Sequence, residues 1–431
     1  MIRIVGRKVR STMSTILARL PLAGAFAVWL GSACLAGAVV ASEDSAEAAA
    51  VVAEQTFSLL KTDGEIVVGE LKEIGPRGEI LLLTSDDKEQ TIPSSLVVKL
   101  VREGTLPTLA PEPSAAVLFP EGDRIRSAIG AASETHLEVQ SYSLGKLAIP
   151  LDSILGLILS HQSDSDQADL VIGRVRNEPR TSEVAWLANG DRLDGGFLGL
   201  TEKSVDFLVA KKPIKLDRAG VVALGLDPAQ VVYPLPETDF YEFTFFDGSR
   251  LGLTNPKIEQ DHLSGTTRFG LALRVGLNEL ARVQRRSRQL VYLDERPVAA
   301  EKYVGYIGNP RPFRKNATVE GHTFRLSGHD FDRGLGTESR TLLAYRVEPG
   351  DLRFQASVGL DDRSGPLGNV VFAVIVDGVE RFKSPPMSVR DGPKTLDIDL
   401  QGAKVLVLIT EFGERGNVRD IADWVEARIL R

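Results

Sequence analysis

Between Thr56 and Ser287 the sequence repeats one unit four times, and such a repeat decides the architecture of this part of the chain. Each unit begins with an apolar segment, a tight turn that contains a glycine, and a second apolar segment. Three further short apolar segments follow. The turn glycines are Gly64, Gly122, Gly190 and Gly248, at intervals of 58, 68 and 58 residues. The spacing predicts four similar β-units in series.

Four or five strands in about 45 residues bury only a small core, so we expect a small curled sheet or barrel in each unit. In strand rhythm alone the units resemble SH3-like and Sm-like barrels weakly. The longer middle interval falls in the polar, acidic stretch 162–181, with a short helix expected at 166–175. We therefore expect the units to pack as two pairs around this linker, with repeats one and two at 56–161 and repeats three and four at 182–287.

The residues that recur in the units are glycine, aspartate and apolar strand residues, which turns and cores require. A functional repeat would instead keep a reactive or stacking side chain at the same offset in every unit. Trp186 has Leu118 and Phe245 as its counterparts, which is typical of a core position. The repeats are therefore predicted to be a structural scaffold or a protein-interaction module.

The last third of the chain has the pattern of a second all-β domain. The segment Val370–Val376 is apolar on both of its alternating faces, which indicates a strand packed between two layers. Asp377-Gly378 predicts a two-residue hairpin turn, because both residues tolerate positive φ, and Gln401-Gly402 marks another turn. Several short strands at this spacing predict a β-sandwich or jelly roll.

Ordered motifs in this domain carry a family resemblance. They are G-L-G-T-E-S-R-T-L-L-A-Y at 334–345, V-G-L-D-D at 358–362, V-V-F-A-V-I-V-D-G at 370–378 and D-I-A-D-W at 420–424. From 288 to 431 the chain resembles the NPCBM family, a carbohydrate-binding module often appended to bacterial glycoside hydrolases. The resemblance implies a galactose-binding-like jelly-roll sandwich and galactose-type ligands. The family often has a histidine where this chain has Glu338, so a sugar contact at that position is not carried over.

Sugar binding requires a flat apolar ring and planar polar groups that bridge neighbouring hydroxyls. The candidates on predicted loops and strand ends are Tyr306, Phe313, Arg340, Phe412, Arg415, Asn417 and Trp424. Core packing is the favoured alternative for Phe412 and Trp424, and a surface pair with Glu338 is the alternative for Arg340. Strand alternation places Trp424 on one face with Glu426 and Arg428, and places Val425, Ala427 and Ile429 on the other.

No cofactor is expected to be required, although four carboxylates are candidates for a structural Ca²⁺ site. They are Asp361, Asp362, Asp420 and Asp423. Calcium prefers several oxygen ligands, which such a group would provide. The alternative is that these aspartates cap turns by accepting hydrogen bonds from backbone N–H groups.

The catalytic motifs H-E-x-x-H, G-x-S-x-G, G-x-G-x-x-G and the P-loop are absent from the sequence. The histidines are His136, His161, His262, His322 and His329, and no two have metal-ligand spacing on one helix. A pair of carboxylates for glycoside hydrolysis could be chosen in many ways, and nothing in the sequence selects one. The chain is therefore predicted not to be an enzyme.

Residues 1–41 are predicted to be an export signal, because five basic residues and no acidic ones precede or flank the apolar stretch Leu20–Val40. An uncleaved membrane anchor is the alternative. Residues 42–55 are predicted to be a flexible leader. Cys34 lies in the signal, so the mature chain would have no thiol. Its net charge would change from −7 to −12 with the five basic residues removed, and this excludes nucleic acid as a favoured partner.

These features predict an exported, non-catalytic carbohydrate-binding protein in the periplasm, at the cell surface or outside the cell. Its C-terminal domain would bind glycans weakly, galactose-containing glycans among them, and the repeats would be the scaffold. The alternative is a structural or protein-interaction role with an envelope protein as partner, in a sandwich that has lost its sugar site. Glu338 and an aromatic content of only 6% favour this alternative.

Overall fold

The computed structural model describes residues 56–104, 115–159, 165–306 and 309–431. The predicted export signal, the predicted leader and His161 lie outside these ranges, so the expectations for them stay predictions. Within the described ranges, no helix is long and apolar enough to cross a membrane.

Four similar β-units occupy the region of the sequence repeat, and we refer to them together as the array. Unit 1 comprises β1 (Thr56–Lys61), β2 (Ile66–Ile74), β3 (Ile80–Thr84), β4 (Glu89–Ile92) and β5 (Val97–Arg102). Unit 2 comprises β6 (Ala116–Leu118), β7 (Arg124–Ala132), β8 (His136–Ser141), β9 (Gly145–Pro150) and β10 (Gly156–Ile158). Unit 3 comprises β11 (Glu183–Leu187), β12 (Arg192–Leu200), β13 (Ser204–Val209), β14 (Lys212–Asp217) and β15 (Val221–Gly225). Unit 4 comprises β16 (Phe240–Phe245), β17 (Arg250–Glu259), β18 (His262–Thr267), β19 (Ala272–Gly276) and β20 (Leu280–Arg286).

Each unit is a curled antiparallel sheet in which the first strand pairs with both the second and the fifth. The third strand pairs with the second and the fourth. The turn glycine of every unit has φ between 83° and 93°, a conformation that side chains with a Cβ rarely adopt. One apolar core runs through all four units and includes Phe57, Phe119, Phe207 and Phe243.

The units form two pairs, but not the expected ones, because unit 1 pairs with unit 4 and unit 2 pairs with unit 3. Strand β5 of unit 1 pairs with β20 of unit 4, and β10 of unit 2 pairs with β15 of unit 3. In both cases the last strand of a unit offers its free edge, and the last strand of another unit covers it. The stretch 162–181 therefore connects two members of one pair instead of separating two pairs. Its helix α1 (Ser165–Asn177) packs Val175 against the apolar side of β10 and β15.

The last third of the chain is a two-sheet sandwich with a short hairpin, so the predicted all-β fold with repeats and a sandwich is confirmed. One sheet has the order β23 (Arg314–Lys315), β26 (Gly334–Thr337), β33 (Ala422–Leu430), β28 (Arg353–Leu360) and β31 (Lys394–Asp399), and β21 (Leu290–Tyr292) also pairs with β33. The other has the order β22 (Ala300–Tyr303), β27 (Thr341–Arg346), β32 (Val405–Phe412), β29 (Val370–Val376) and β30 (Val379–Lys383). The hairpin is β24 (Phe324–Leu326) and β25 (His329–Phe331). The core between the sheets includes Tyr345, Phe354, Phe372 and Trp424.

The Asp377-Gly378 turn has the predicted conformation, with φ values of 50° and 81°. The Asp377 carboxylate also accepts hydrogen bonds from the backbone N–H groups of Lys404 and Val405, at 3.0 and 2.9 Å. This turn is therefore held to the connection between the strands Lys394–Asp399 and Val405–Phe412, where Gly402 has φ 77° in the other predicted turn.

The predicted faces of the last strand are wrong because a β-bulge interrupts the alternation. Glu426 has φ 51°, and the register with β28 shifts between Gln355 and Ser357. One extra residue therefore lies on β33 at this point. As a result Trp424 points into the core together with Ala427 and Ile429, and not together with Glu426 and Arg428.

A candidate ligand site at one end of the sandwich

Four loops meet at one end of the sandwich, because several strands of both sheets begin or end there. Tyr303 lies opposite Thr341, Thr341 opposite Thr410, and Val370 opposite Phe412. In the other sheet, Ala422 lies opposite both Thr337 and Leu360. The connecting segments are residues 304–306, 338–340, 361–369 and 413–420. We call these four segments the loop end.

Asp420 and Asn369 join three of these four loops. The Asp420 carboxylate accepts hydrogen bonds from the backbone N–H of Asn369, at 2.9 Å, and from the Ser339 hydroxyl. Asn369 in turn accepts from the N–H of Gly413, at 3.0 Å, and from the N–H of Glu414, at 2.7 Å. Burial raises the pKa of Asp420 above its usual value, although these donors oppose the shift. The buried carboxyl group of Asp420 therefore holds three loops of the loop end together.

Tyr306 presents an aromatic ring at the loop end and is 62% exposed. Its ring meets Phe412 edge-on, with the centroids 5.3 Å apart, and it lies over Gly416. A Cβ on Gly416 would come within 2.9 Å of Tyr306 Cε1, and this glycine also has φ 69°. The sequence predicted Tyr306 and Phe412 as candidates, and the structure brings them together on a glycine that the prediction did not include.

Arg340 and Glu411 form an ion pair at the same end, with 2.8 Å between Arg340 Nε and Glu411 Oε2. The two side chains keep 45% and 32% of their surface exposed. The alternative pair of Arg340 with Glu338 is wrong, because Glu338 is turned inward and is only 5% exposed. Its carboxylate accepts from the backbone N–H and from Nε of Arg311, at 2.5 and 2.8 Å.

The other candidates divide into loop residues and core residues. Arg415 is exposed and donates from Nη1 to the Pro366 carbonyl at 2.7 Å, and Asn417 is half-buried on the same loop. Phe313 packs against the sandwich core. Trp424 is 1% exposed and donates from Nε1 to Thr410 Oγ1 at 3.1 Å. Trp424 is therefore wrong as a ligand-contacting residue, since its ring serves the core, whereas Phe313 is half-buried and stays a prediction.

Two of the four predicted calcium ligands cap the hairpin of β24 and β25. Asp361 accepts from the N–H of Arg363 and of Arg325, at 3.0 and 2.8 Å. Asp362 accepts from the N–H of Ser327 and of Gly328, at 2.9 and 2.8 Å. These are the bonds expected from the alternative hypothesis, in which the aspartates cap turns and do not bind calcium.

Asp423 is fully buried, and neither of its carboxyl oxygens has a hydrogen-bond partner among the described residues. Burial raises its pKa well above the usual value, and the neighbouring Asp361 carboxyl raises it further. In the described ranges no three His, Cys, Asp or Glu side chains come together as a metal-binding group. The donors fit calcium poorly, since most of these oxygens already serve backbone N–H groups, and the ion stays a prediction.

A wide groove of about 570 Å³ lies on unit 2 between β7, β8 and β9. Ala128, Gly130 and Ala148 are among the residues that line it, but no aromatic side chain does. A sugar would find no ring to stack on there. The loop end is therefore the better candidate for a sugar site.

Several residues at the loop end were missed by sequence reasoning. Ser339, Asn369, Glu411 and Gly416 are polar or small residues next to predicted strands, which is common in loops of every kind. Their roles arise only when the strand ends meet in space. The sole signal was the position of Ser339 inside the motif at 334–345 and of Asn369 directly before the motif at 370–378, and Glu411 and Gly416 had none.

The last third of the chain is thus a two-sheet sandwich with a loop end, joined to a β-array. Residues 289–430 match the family model described as the NPCBM/NEW2 domain. The predicted resemblance of the last third of the chain is therefore confirmed.

The chain is also 28% identical over 153 residues to a Renibacterium salmoninarum protein named "Putative endo-alpha-N-acetylgalactosaminidase". This match covers 32% of the chain and only 10% of that protein.

Two solved structures from Clostridium perfringens are also similar. The first is CBM51 from GH95 in complex with methyl-galactose, at 24% identity and a TM-score of 0.30, over 32% of this chain and 99% of the other. The second is CBM51-2 in complex with GlcNAc and INT domains from ZmpB, at 21% identity and a TM-score of 0.31, over 44% and 43%.

Proposed function

We propose that the loop end binds a glycan and that the chain is an exported, non-catalytic carbohydrate-binding protein with the array as its scaffold. The observation that carries the proposal is the exposed ring of Tyr306 at the same end as the solvent-open Arg340–Glu411 pair. The match of residues 289–430 to the NPCBM/NEW2 domain supports it.

The chemistry of the two features is complementary to a sugar. The exposed face of Tyr306 offers an apolar platform for the C–H face of a pyranose. Arg340 donates hydrogen bonds and Glu411 accepts them, so the pair can engage two neighbouring hydroxyls in a fixed geometry. One ring and one ion pair that is already solvated give a modest affinity, with a dissociation constant of about 0.1–1 mM. Many copies at a cell surface would add avidity.

A structural or protein-interaction role at the envelope is the second candidate. The observation that favours it is Glu338, because its carboxylate is buried and held by Arg311 where the resembling family often has a histidine. A sandwich that had lost its sugar site would retain this internal bond, since the bond stabilises the fold.

The test is a titration of residues 42–431 with galactose- and GlcNAc-terminated oligosaccharides, followed by NMR or calorimetry. We expect the Tyr306→Ala variant to bind at least about tenfold more weakly, because the stacking platform is lost. The matched control is Tyr142→Ala, which removes a 69% exposed tyrosine from the array and should leave affinity unchanged. A folded wild-type protein that binds none of these glycans on a broad array would overturn the proposal in favour of a protein partner.

A further inference from the structure

Helix α1, which connects units 2 and 3, contacts the sandwich, and its Asp169 carboxylate makes the polar contacts described next. Asp169 accepts a hydrogen bond from the backbone N–H of Thr323 and another from its hydroxyl, each at 2.8 Å. Its Oδ2 also lies 3.6 Å from Nη2 of Arg363. The side chains of Asp169 and Arg363 are both largely buried, which strengthens their interaction relative to a surface pair. A residue of the array therefore reaches the start of the loop 361–369.

Arg363 is fixed between the array and the sandwich by several contacts. Its Nη1 donates to the carbonyl of Thr323 at 3.0 Å and lies 3.2 Å from Asp361 Oδ1. Its own backbone N–H donates to the same Asp361 oxygen at 3.0 Å. The position of this arginine thus depends on both Asp169 in the array and Asp361 in the sandwich.

The loop that begins with Arg363 is joined to the loop that carries the candidate ligand residues. Arg419 donates from Nη2 to the carbonyl of Arg363, and Arg415 donates to the carbonyl of Pro366 at 2.7 Å. Asn369 then closes the pairing of the two loops through the N–H of Glu414. The second loop contains Gly416, on which the Tyr306 ring lies.

We propose that Asp169 is a positioning residue for the glycan site: through Arg363 it holds the loops 361–369 and 413–420 in the shape that supports Tyr306. This inference rests on the proposed function. Loops held in the binding conformation before the ligand arrives lose less entropy on binding, so affinity rises without any new ligand contact. Asp169 itself touches no ligand, and its effect passes through Arg363.

The experiment compares the 42–431 protein with its Asp169→Asn variant, and measures both glycan affinity and amide hydrogen exchange without ligand. We expect Asp169→Asn to weaken binding about three- to tenfold and to speed exchange in 361–369 and 413–420. A Thr323→Val variant, which removes one donor to Asp169, should change both quantities in the same direction by a smaller factor.

Lys99→Met is the matched control, because Lys99 of unit 1 forms an ion pair with Glu426 of the sandwich and so also joins the array to the sandwich. Its Nζ lies 2.7 Å from Glu426, on the bulge of β33 and away from the loop end. This variant should leave glycan affinity and exchange in the two loops unchanged even if the whole protein becomes less stable.

The outcomes separate the inference from the proposed function. Wild-type protein that binds no glycan would overturn the proposed function, and the exchange measurement would still test the link between Asp169 and the loops. Wild-type protein that binds, with Asp169→Asn equal to it in affinity and exchange, would overturn the positioning role alone. Equal losses in Asp169→Asn and Lys99→Met would also overturn it, because general weakening of the interface would then explain both.

Discussion

Asp332 of the sandwich lies 3.3 Å from Arg124 of unit 2, measured from Oδ1 to Nη1. Its other oxygen lies 3.6 Å from Arg250 and 3.8 Å from Arg282, both on unit 4. Burial alone would raise the pKa of Asp332, but these guanidinium groups hold it well below its usual range. One carboxylate on the loop before β26 therefore compensates arginines from two units of the array.

We expect Asp332→Asn to lower the free energy of unfolding by about 3–5 kcal/mol, because it leaves guanidinium groups without their counter-charge in a buried place. Urea unfolding at pH 7 measures the change. The control is Asp330→Asn, which removes an exposed partner of Arg325 and should cost no more than about 1 kcal/mol. Because the folded pKa is depressed, the contribution of Asp332 is present above about pH 4 and is lost as the pH falls further. Equal costs for the two variants would contradict this role.

We expect Asp423→Asn to stabilise the protein at pH 8 by roughly 1 kcal/mol. The raised pKa of Asp423 means that the folded state holds its proton more tightly than the unfolded state does. Stability from this group is therefore complete below about pH 4 and declines as the pH rises toward the folded pKa. Asparagine needs no proton and can donate to Asp361, so the variant should show a flatter stability profile between pH 4 and pH 8.

Urea unfolding at pH 4, 6 and 8 tests this expectation. Asp420→Asn is the contrasting variant, because Asp420 accepts bonds from Asn369 and Ser339 that an amide would satisfy less well. An Asp423→Asn protein with the same pH slope as the wild type would show that Asp423 does not hold an extra proton in the folded state.

Gly416→Ala is expected to reduce glycan affinity more than stability. Its Cβ would come within 2.9 Å of Tyr306, so the ring must move off the loop. The positive φ of 69° adds a backbone cost of about 1 kcal/mol. Gly402→Ala has a similar φ of 77° and no atom within 4 Å of the new Cβ, so it carries the backbone cost alone.

Thermal unfolding and glycan titration of the two glycine variants distinguish the effects. Similar losses of stability with a loss of affinity only in Gly416→Ala would support the placement of Tyr306 in the site. Unchanged affinity in Gly416→Ala would mean that the ring position does not matter for the ligand.

Calcium is expected to change the melting temperature very little. Asp361 and Asp362 already accept hydrogen bonds from backbone N–H groups, and Asp420 accepts from Asn369 and Ser339. The test compares thermal unfolding in EDTA with thermal unfolding in Ca²⁺, at a concentration about 100-fold above the dissociation constant of a micromolar site. An ion bound in the folded state alone would add about 2.7 kcal/mol under these conditions and raise the melting temperature clearly.

The sequence was informative wherever one residue determines the local backbone. Asp377-Gly378 and the glycines of the array predicted their turns, since few residues adopt positive φ. The bulge at Glu426 gave no such signal, and it reversed the predicted faces of the last strand. The pair of Arg340 and Glu411 was equally unpredictable, because Arg340 lies on the loop before β27 and Glu411 on β32, and the two meet only when β27 and β32 align. Turn conformations could be predicted from single residues, whereas strand register and contacts between distant segments could be seen only in the folded sheet.

The pairing of β5 with β20 also means that the array cannot be completed until its last unit has been synthesised. The edge of β5 emerges from the ribosome with unit 1, but its covering strand β20 belongs to unit 4 and is the last strand of the array to be made. Until then an unpaired edge is open to the wrong partner. A chain that stops after unit 3 would expose this edge permanently. The fourth unit is thus the one that closes the array and protects the growing chain from aggregation.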